Sequence, residues 1–195
     1  MIMTLFFKIW NRVEIQSGSL NKKMLLLKWK SLYRDRLVIH SNFNFGKSFS
    51  FHFDASHSTV HIGNGLEVRD HFEVRSGNNG KLNIGDKVFF NNGCSVHCLT
   101  EISIGNNNQF GEGVKMYDHN HQYKESGKLI SEQGYSFGAI KIGNNCWIGS
   151  NVIILKDVEI GDNVVIGAGC IIHKSVPAGT VVVNHQSLDF IKYRD

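Results

Sequence analysis

Residues 141–176 read, in groups of six, KIGNNC WIGSNV IILKDV EIGDNV VIGAGC IIHKSV. The second place of every group is isoleucine: Ile142, Ile148, Ile154, Ile160, Ile166 and Ile172. A spacing of six is neither the period of an α-helix nor the alternation of a single strand. It is a repeat, and a repeat decides the architecture before any local pattern does.

The fifth place of each group predicts a corner of the chain. It holds residues that tolerate a left-handed backbone or favour turns: Asn145, Asn151, Asp157, Asn163, Gly169 and Ser175. The sixth place is small or β-branched. The pattern therefore predicts a flat strand with one buried aliphatic side chain, then a tight corner, then the next strand. Three groups close one triangular turn, and the turns stack.

This pattern resembles the hexapeptide-repeat family, whose fold is a left-handed parallel β-helix. The alternative is a β-sandwich with glycine-rich turns, but sandwich strands alternate and are separated by irregular loops. We predict an all-β solenoid of this type, with a helical N-terminal cap and one long inserted loop. The expected divisions are a cap over residues 1–42, the β-helix over 43–182 and a tail over 183–195.

Composition fits one domain of 195 residues with 20 glycines and 1 proline. The net charge of +4 is mildly basic and diffuse, and nothing resembles a nucleic-acid-binding motif, so we expect no nucleic-acid partner. Register predicts Cys94, Cys146 and Cys170 as core thiols and places Cys98 on an outward position. The cysteines form no CxxC pair, and the N-terminus resembles no signal peptide. We therefore predict a reducing, cytoplasmic location.

The N-terminal region departs from the six-residue pattern. Residues 1–13 place apolar side chains on one helical face, and a second candidate helix spans roughly 21–34 with many lysines. Neither apolar run approaches the roughly 18 residues that a membrane-spanning helix needs. Two interpretations stand: a cap over the open end of the solenoid, or a basic amphipathic surface that rests on a membrane.

The repeat is interrupted once, over residues 117–140, YDHNHQYKESGKLISEQGYSFGAI. Long loops in compact domains are usually functional or disordered, and the aromatic content of this one favours function. The loop opens with Tyr117-Asp118-His119-Asn120-His121, and the coil restarts with Trp147-Ile148-Gly149. These motifs resemble the acetyl-CoA-dependent O-acetyltransferases of the hexapeptide family, among them galactoside, maltose and bacterial capsule or O-antigen polysaccharide acetyltransferases.

The resemblance implies acetyl-CoA as co-substrate, no metal, a sugar or polysaccharide acceptor and a homotrimer. Independently of the resemblance, the second interpretation of the N-terminal region implies peripheral contact with the inner face of the cell membrane. The resemblance also implies a loop histidine as general base, and histidine suits that role near neutral pH. His121 has the family's spacing from Gly105 and is favoured over His119. Asn91 matches an asparagine that positions the acceptor or the carbonyl group.

The remaining site residues also come from the resemblance. The expected cofactor-binding residues are Trp147, Gly149, Ser150, Gly167, Ala168, His173 and Lys174. The expected substrate-binding residues are Tyr117, Asp118, Asn92 and Tyr123. The chain departs from the family at 184–188, where a glycine, a proline and a phosphate-binding basic residue are missing, and Lys192 or Arg194 could replace that basic residue.

Three other functions remain open. Small-molecule acetyltransferases, acting on xenobiotics or serine, share the architecture. Carbonic anhydrases of the same fold hold zinc with three histidines across a trimer interface, and His97, His119 and His121 could be arranged in that way. A non-catalytic solenoid is the third alternative, because fold alone does not decide function.

Overall fold

The computed structural model describes residues 19–54 and 57–185. The chain winds into successive turns, each made mainly of three short strands. The strands form three faces, and within each face every strand pairs in parallel with the strands of the turns above and below. The first face stacks six strands: β1 (Leu37–Ile39), β4 (Thr59–Ile62), β7 (Lys81–Ile84), β10 (Glu101–Ile104), β15 (Ala139–Ile142) and β18 (Val158–Ile160).

The other two faces follow the same rule. The second face stacks β2 (Asn44–Phe45), β5 (Glu67–Val68), β8 (Phe89–Phe90), β11 (Gln109–Phe110), β16 (Trp147–Ile148), β19 (Val165–Ile166) and β21 (Val181–Val182). The third face stacks β3 (Ser50–Phe53), β6 (Glu73–Ser76), β9 (Ser95–Cys98), β12 (Lys115–Tyr117), β17 (Ile153–Leu155) and β20 (Ile171–Ile172). The predicted parallel β-helix is confirmed, and its first turn begins at Leu37, before the expected boundary at 43.

Strand pairing places equivalent residues of successive turns next to each other, so similar side chains stack in columns inside the solenoid. Ile104 pairs with Ile84 on one side and with Ile142 on the other, and all three are buried. Phe90 and Phe110 stack with ring centroids 4.3 Å apart, nearly parallel at 9°. Burying a large aliphatic or aromatic side chain contributes roughly 1.5–3 kcal/mol, so these columns are the main source of stability.

The corners adopt the backbone that the fifth place of the repeat predicts. Asn145, Asn151, Asp157 and Asn163 have φ between 55° and 63°, and Gly169 has φ 72°. Asparagine is one of the few residues other than glycine that tolerate this left-handed region. Side chains also tie the turns together, since the Asn145 amide donates to Asn163 Oδ1 at 2.7 Å.

The four cysteines are free and buried. The predicted core position is confirmed for Cys94, Cys146 and Cys170. The prediction for Cys98 is wrong, because its exposed fraction is 0%. Strand β9 is four residues long and alternates, so Cys98 points inward with Val96 while His97 points outward.

A helix closes one end of the solenoid. Helix α1 spans Ser19–Tyr33, close to the predicted range of 21–34. Trp29 packs edge-on against Phe49 and Phe51, both with centroids at 5.1 Å, and so covers the first turn. A 3-10 turn, Arg34–Arg36, leads into β1. The other predicted helix, over 1–13, and the tail beyond 185 lie outside the described residues.

The interruption of the coil is an antiparallel hairpin. Its strands are β13 (His119–His121) and β14 (Tyr135–Phe137), and its tip carries a 3-10 turn, Ile130–Glu132. The Gly138 N–H donates to the Asp118 carbonyl at 2.9 Å and closes the base of the hairpin. Within residues 19–54 and 57–185, no helix has the length and apolar character to cross a membrane.

Candidate active site

The Asp118 side chain is the buried polar centre at the base of the hairpin. Its exposed fraction is 0%. Its carboxylate accepts the backbone N–H groups of Leu99 (2.9 Å), Thr100 (2.7 Å) and Glu101 (3.0 Å). Leu99 and Thr100 form the turn between β9 and β10, where two extra residues enter the repeat, and Glu101 begins β10. Three charge-assisted hydrogen bonds hold the carboxylate in one orientation.

His119 is the histidine that this carboxylate contacts. Its Nδ1 lies 3.0 Å from Asp118 Oδ1, and its side chain is 16% exposed. A carboxylate at Nδ1 favours the tautomer that carries its proton there, which leaves Nε2 as a proton acceptor. The ring also meets Tyr135 edge-on, with centroids 5.2 Å apart. His119 is therefore oriented, partly shielded from water and equipped to accept a proton.

His121 is placed differently, although the sequence argument favours it. It is exposed, and its ring lies 4.5 Å from that of Tyr135 at 44°. Among the described residues no hydrogen bond to its ring is found. The neighbouring Tyr123 is also exposed, at the hairpin tip. The geometry thus distinguishes the two histidines: a buried carboxylate orients His119 and not His121, although the residue count favours His121.

A second polar cluster lies below the hairpin on the outer surface of the third face. Arg75, His97 and Tyr117 occupy matching positions in three successive turns. The His97 Nε2 atom lies 3.2 Å from Glu73 Oε1, and the Arg75 Nε–H donates to the same oxygen at 3.0 Å. His97 meets Tyr117 edge-on, with ring centroids 5.1 Å apart. The sequence reasoning missed this cluster, although the spacing of 22 residues from Arg75 to His97 was a signal for it.

Burial and charge act in opposite directions in this cluster. Burial lowers the pKa of His97, and the Glu73 carboxylate opposes that shift. Burial also acts to raise the pKa of Glu73, but the hydrogen bond from Arg75 and the charges around it bring that pKa below its ordinary value. Glu73 is therefore an anion at neutral pH, and His97 is held as its neutral hydrogen-bond donor.

The remaining site residues fall along two edges of the third face. The first, here called the asparagine edge, is the corner after β8, β11, β16 and β19. It carries Asn91, Asn92, Gly149, Ser150, Gly167 and Ala168. Hydrogen bonds between backbone groups align these corners. The N–H groups of Gly113, Asn151 and Gly169 donate to the carbonyl oxygens of Asn92, Glu112 and Ser150, respectively. A Cβ added at Gly149 would lie 2.6 Å from the Ala168 nitrogen, so glycine is required for the turns to stack.

The second, here called the histidine edge, comprises the ends of β12, β17 and β20 and the corners that follow them. It carries Tyr117, Asp118, His119, His173 and Lys174, the last two exposed. Trp147 lies on the second face beside the asparagine edge and is 60% exposed. Within the chain the structure therefore aligns the members of each edge but leaves Asn91 and His119 on opposite edges of the third face.

Asn91 and Asn92 have distinct local roles at their corner. The Asn92 backbone N–H donates to Asn91 Oδ1 at 2.8 Å, which fixes the Asn91 side chain and leaves its amide N–H groups for other partners. The Asn92 Oδ1 atom accepts the backbone N–H of Asp70 at 3.1 Å, so Asn92 also links this corner to the turn before it.

The histidines that could recruit zinc already have partners of a different kind. His97 contacts Glu73 and His119 contacts Asp118. In the part of the chain that the structure describes, no group of three or more His, Cys, Asp or Glu side chains is arranged to hold a metal ion.

Comparison with known proteins agrees with this architecture. A family model described as bacterial transferase hexapeptide (six repeats) matches residues 139–174. No curated protein matches the chain in sequence. Three similar solved structures come from Clostridium difficile 630, Vibrio cholerae O1 biovar eltor and Bacillus cereus.

The Clostridium protein is a maltose O-acetyltransferase, 22% identical, with a TM-score of 0.52 over 91% of this chain and 76% of its own. The Vibrio protein, a hexapeptide-repeat-containing acetyltransferase in complex with acetyl coenzyme A, is 19% identical, with a TM-score of 0.51 over 82% and 73%. The Bacillus protein is AntD, an N-acyltransferase in complex with dTDP and 3-hydroxybutyryl-CoA. It is 18% identical, with a TM-score of 0.63 over 80% and 83%. At these identities the likeness establishes the fold, so we conclude that residues 139–174 carry the bacterial transferase hexapeptide repeat and that the chain folds as the left-handed parallel β-helix of that repeat.

Proposed function

We propose that this chain is an acetyl-CoA-dependent O-acetyltransferase that acetylates a sugar hydroxyl of a bacterial surface polysaccharide or its precursor. The observation that carries the proposal is the Asp118–His119 pair at the base of the hairpin that interrupts the coil. The hexapeptide-repeat match and the acyltransferases among similar folds support the reaction class. We expect the reaction in the cytoplasm, where acetyl-CoA is made.

The proposed base is His119 rather than His121. A sugar hydroxyl ionises far above neutral pH, so its proton must leave as the oxygen attacks the thioester. His119 Nε2 takes that proton, and the oxygen adds to the thioester carbonyl carbon. The C–S bond then breaks, the carbonyl re-forms, and the proton passes from His119 to the departing sulfur of coenzyme A. Asp118 stabilises the imidazolium meanwhile.

Asp118 acts through His119 in this scheme. Its complete burial supports a positioning role in place of the acceptor contact predicted from sequence. Asn91 is proposed to donate its amide N–H to the carbonyl oxygen as negative charge develops there. A preorganised donor of this kind is worth about 10²- to 10³-fold in rate.

We further propose that the enzyme is a homotrimer with its active sites between subunits. Asn91, Ser150 and Ala168 lie along the asparagine edge, while His119 and Lys174 lie along the histidine edge. Closed threefold packing would bring one subunit's histidine edge to its neighbour's asparagine edge. Coenzyme A would lie in that groove beside Trp147, with the backbone at Gly149 and Gly167 along the pantetheine arm and His173 and Lys174 near its phosphates.

The acceptor sugar is proposed to lie over the third face beside His119. Tyr117 and the exposed Tyr123 supply aromatic surface, and the asparagine edge of the neighbouring subunit supplies the Asn92 amide. Glu73 and Arg75 add a carboxylate and a guanidinium beside His97, whose ring meets that of Tyr117. Hydroxyl-rich ligands are bound by such mixtures of charged hydrogen-bonding groups and aromatic faces.

The test is release of free coenzyme A thiol from acetyl-CoA, measured with bacterial glycans, simple sugars, serine and chloramphenicol as acceptors. Acetylation of a glycan by the wild-type chain and its loss in His119→Ala, with His121→Ala retaining most activity, would support the proposal. Full turnover by His119→Ala would rule out the assigned base. Turnover only with serine or chloramphenicol would replace the acceptor class, and absence of acetyl-CoA binding would overturn the whole proposal.

A further inference from the structure

Helix α1 has apolar side chains on two sides, and only one side is used by the solenoid. Trp29 and Tyr33 are buried against the first turn. Met24 and Leu27 lie on the opposite side, 62% and 68% exposed. Residues three apart share one surface of a helix, so these two form a single apolar projection.

Positive charge surrounds this projection. Helix α1 contains Lys22, Lys23, Lys28 and Lys30 and no acidic residue. Lys23 and Lys30 are exposed and flank Met24 and Leu27 along the helix. A solvated helix face normally mixes both signs of charge, so this arrangement points to an anionic partner.

A groove lies beside the projection. It has a volume of about 520 Å³ and is lined by Lys22, Leu26, Leu27, Lys30, Ile39 and Phe43, among others. The Lys22 ammonium lies 5.4 Å from the ring centroid of Phe45, so its stem covers apolar surface at the groove rim. An apolar floor with a cationic rim fits an amphiphile that has a hydrocarbon body and a negatively charged head.

We propose that this surface, formed by Lys23, Met24, Leu27 and Lys30 and here called the basic cap surface, docks the enzyme on an anionic lipid bilayer. Met24 and Leu27 enter the headgroup layer, and the lysines meet lipid phosphates. The contact is peripheral and sits at the end of the solenoid where the first turn is closed. It is independent of the acetyl-transfer chemistry, because none of its residues belongs to the proposed active site.

The test uses the dependence of membrane binding on lysine charge and on salt concentration. A lysine near an anionic membrane contributes roughly tenfold or less to the binding constant, and the attraction decays within the Debye length, about 10 Å at about 0.1 M salt. The full-length protein is floated with vesicles of equal parts phosphatidylglycerol and phosphatidylcholine, and separately with phosphatidylcholine alone. We expect flotation with the anionic vesicles only, weakening as salt rises.

Two double variants separate charge from apolar contact. Lys23→Gln with Lys30→Gln removes two charges, and we expect binding to anionic vesicles to weaken roughly 30-fold. Met24→Gln with Leu27→Gln keeps the charge and removes the inserting side chains, and we also expect weaker binding. The matched control is Lys81→Gln with Lys141→Gln, which removes two exposed charges from the first face of the solenoid.

Each other outcome counts against the proposal. If the wild-type protein does not float with anionic vesicles, the basic cap surface does not bind a bilayer and the proposal is wrong. A change in sedimentation caused by Met24→Gln with Leu27→Gln would identify a second copy of the chain as the partner of this surface. Equal weakening by the Lys81/Lys141 control would mean that only net charge matters. Acetyl transfer to a soluble acceptor is measured on the same variants, and it stays unchanged if the two proposals are independent.

Discussion

Asp118 accepts three backbone N–H groups before its contact with His119 is counted. Its carboxylate therefore links the solenoid wall to the base of the hairpin. Those donors come from the short turn before β10 and from the first residue of that strand, so a disturbance there would change the direction of the His119 ring. Asp118 thus joins local stability to the orientation of the histidine that is proposed to transfer the proton.

Changing Asp118→Asn tests that coupling. The amide is neutral, and its NH2 group cannot accept a backbone hydrogen bond, so one or more donors lose a partner. We expect kcat to fall by about 10²- to 10⁴-fold and stability to fall by about 1–3 kcal/mol. The KM for acetyl-CoA should stay close to that of the wild type. Steady-state kinetics and urea unfolding measure these changes, with the exposed Asp157→Asn as control.

Asp118→Asn would contradict the assignment if the apparent kcat fell only in proportion to the fraction of protein unfolded. That result would give Asp118 a purely structural role. Normal kcat in a folded variant would show that the Asp118 carboxylate is not needed for proton transfer.

The partly buried His97 side chain should make the stability of the fold depend on pH. Because burial lowers its pKa in the folded chain, the unfolded chain binds a proton more readily near the ordinary value of 6.5. Stability is therefore full above that pH and falls as pH drops through that value. His97→Gln should flatten the fall in melting temperature between about pH 7 and about pH 5.5.

The control for this prediction is His61→Gln, which changes an exposed histidine. The loss of stability connected with Glu73 begins only at lower pH, since its ordinary pKa of 4.5 is reduced further. An unchanged pH profile in His97→Gln would show that burial of this ring has no linkage to folding.

At the residue scale the predicted corners are confirmed, whereas the roles of the predicted site residues stay predictions. The side chains at the fifth place of the repeat report directly on backbone conformation, and Asn145 and Asn163 have the predicted positive φ. Cys98 was misplaced because the alternation of a four-residue strand continues one residue further than the six-residue count. The choice between His119 and His121 depends on a buried carboxylate whose partners are distant in the chain, so no count of residues reveals it.

The hairpin formed by β13 and β14 is the element that distinguishes this chain from a plain solenoid. Its strands have only three residues each, too few for a visible alternation, so the sequence predicted a loop and not the pairing. What the sequence did predict is where the coil stops and restarts. The tip exposes Tyr123, Leu129 and Ile130 beyond the wall of the coil.

Shortening the hairpin tests its role. Because His121 pairs with Tyr135, residues 122–134 can be replaced by Asn-Gly, a sequence that favours a two-residue type I′ turn. We expect stability to change by about 1 kcal/mol or less, since the tip contributes little to the core. The KM for a glycan acceptor should rise because Tyr123 is gone. Thermal unfolding and acceptor kinetics measure the two effects, and an unchanged acceptor KM would exclude the tip from acceptor binding.

The core columns govern the stability of the whole molecule. Phe110 stacks on Phe90 and pairs in register with Ile148 of the next turn. We expect Phe110→Ala to cost about 3–5 kcal/mol, the usual range for removing a buried phenylalanine. Urea unfolding measures this change, and Gln109→Ala is the control because Gln109 is the exposed neighbour in the same strand. A loss below about 1 kcal/mol would show that the column repacks.

At this scale the fold followed almost entirely from the repeat, because a period of six leaves few alternatives to a stack of triangular turns. The distribution of site residues over two edges could not be read from the sequence in the same way. That distribution depends on which residues pair between successive turns. The inserted hairpin and the two extra residues at 99–100 leave this pairing intact, but only the structure reveals it.

The separation of Asn91 from His119 on opposite edges of the third face has a genetic consequence. If three subunits close into a ring, each catalytic centre is shared, and every subunit serves two centres at once. His119→Ala and Asn91→Ala would each be inactive alone, yet co-refolding equal amounts should restore about a quarter of the centres, because one partner supplies the imidazole and the other the amide. Two inactive alleles expressed together would then complement each other, whereas centres confined to one subunit would stay inactive in every mixture.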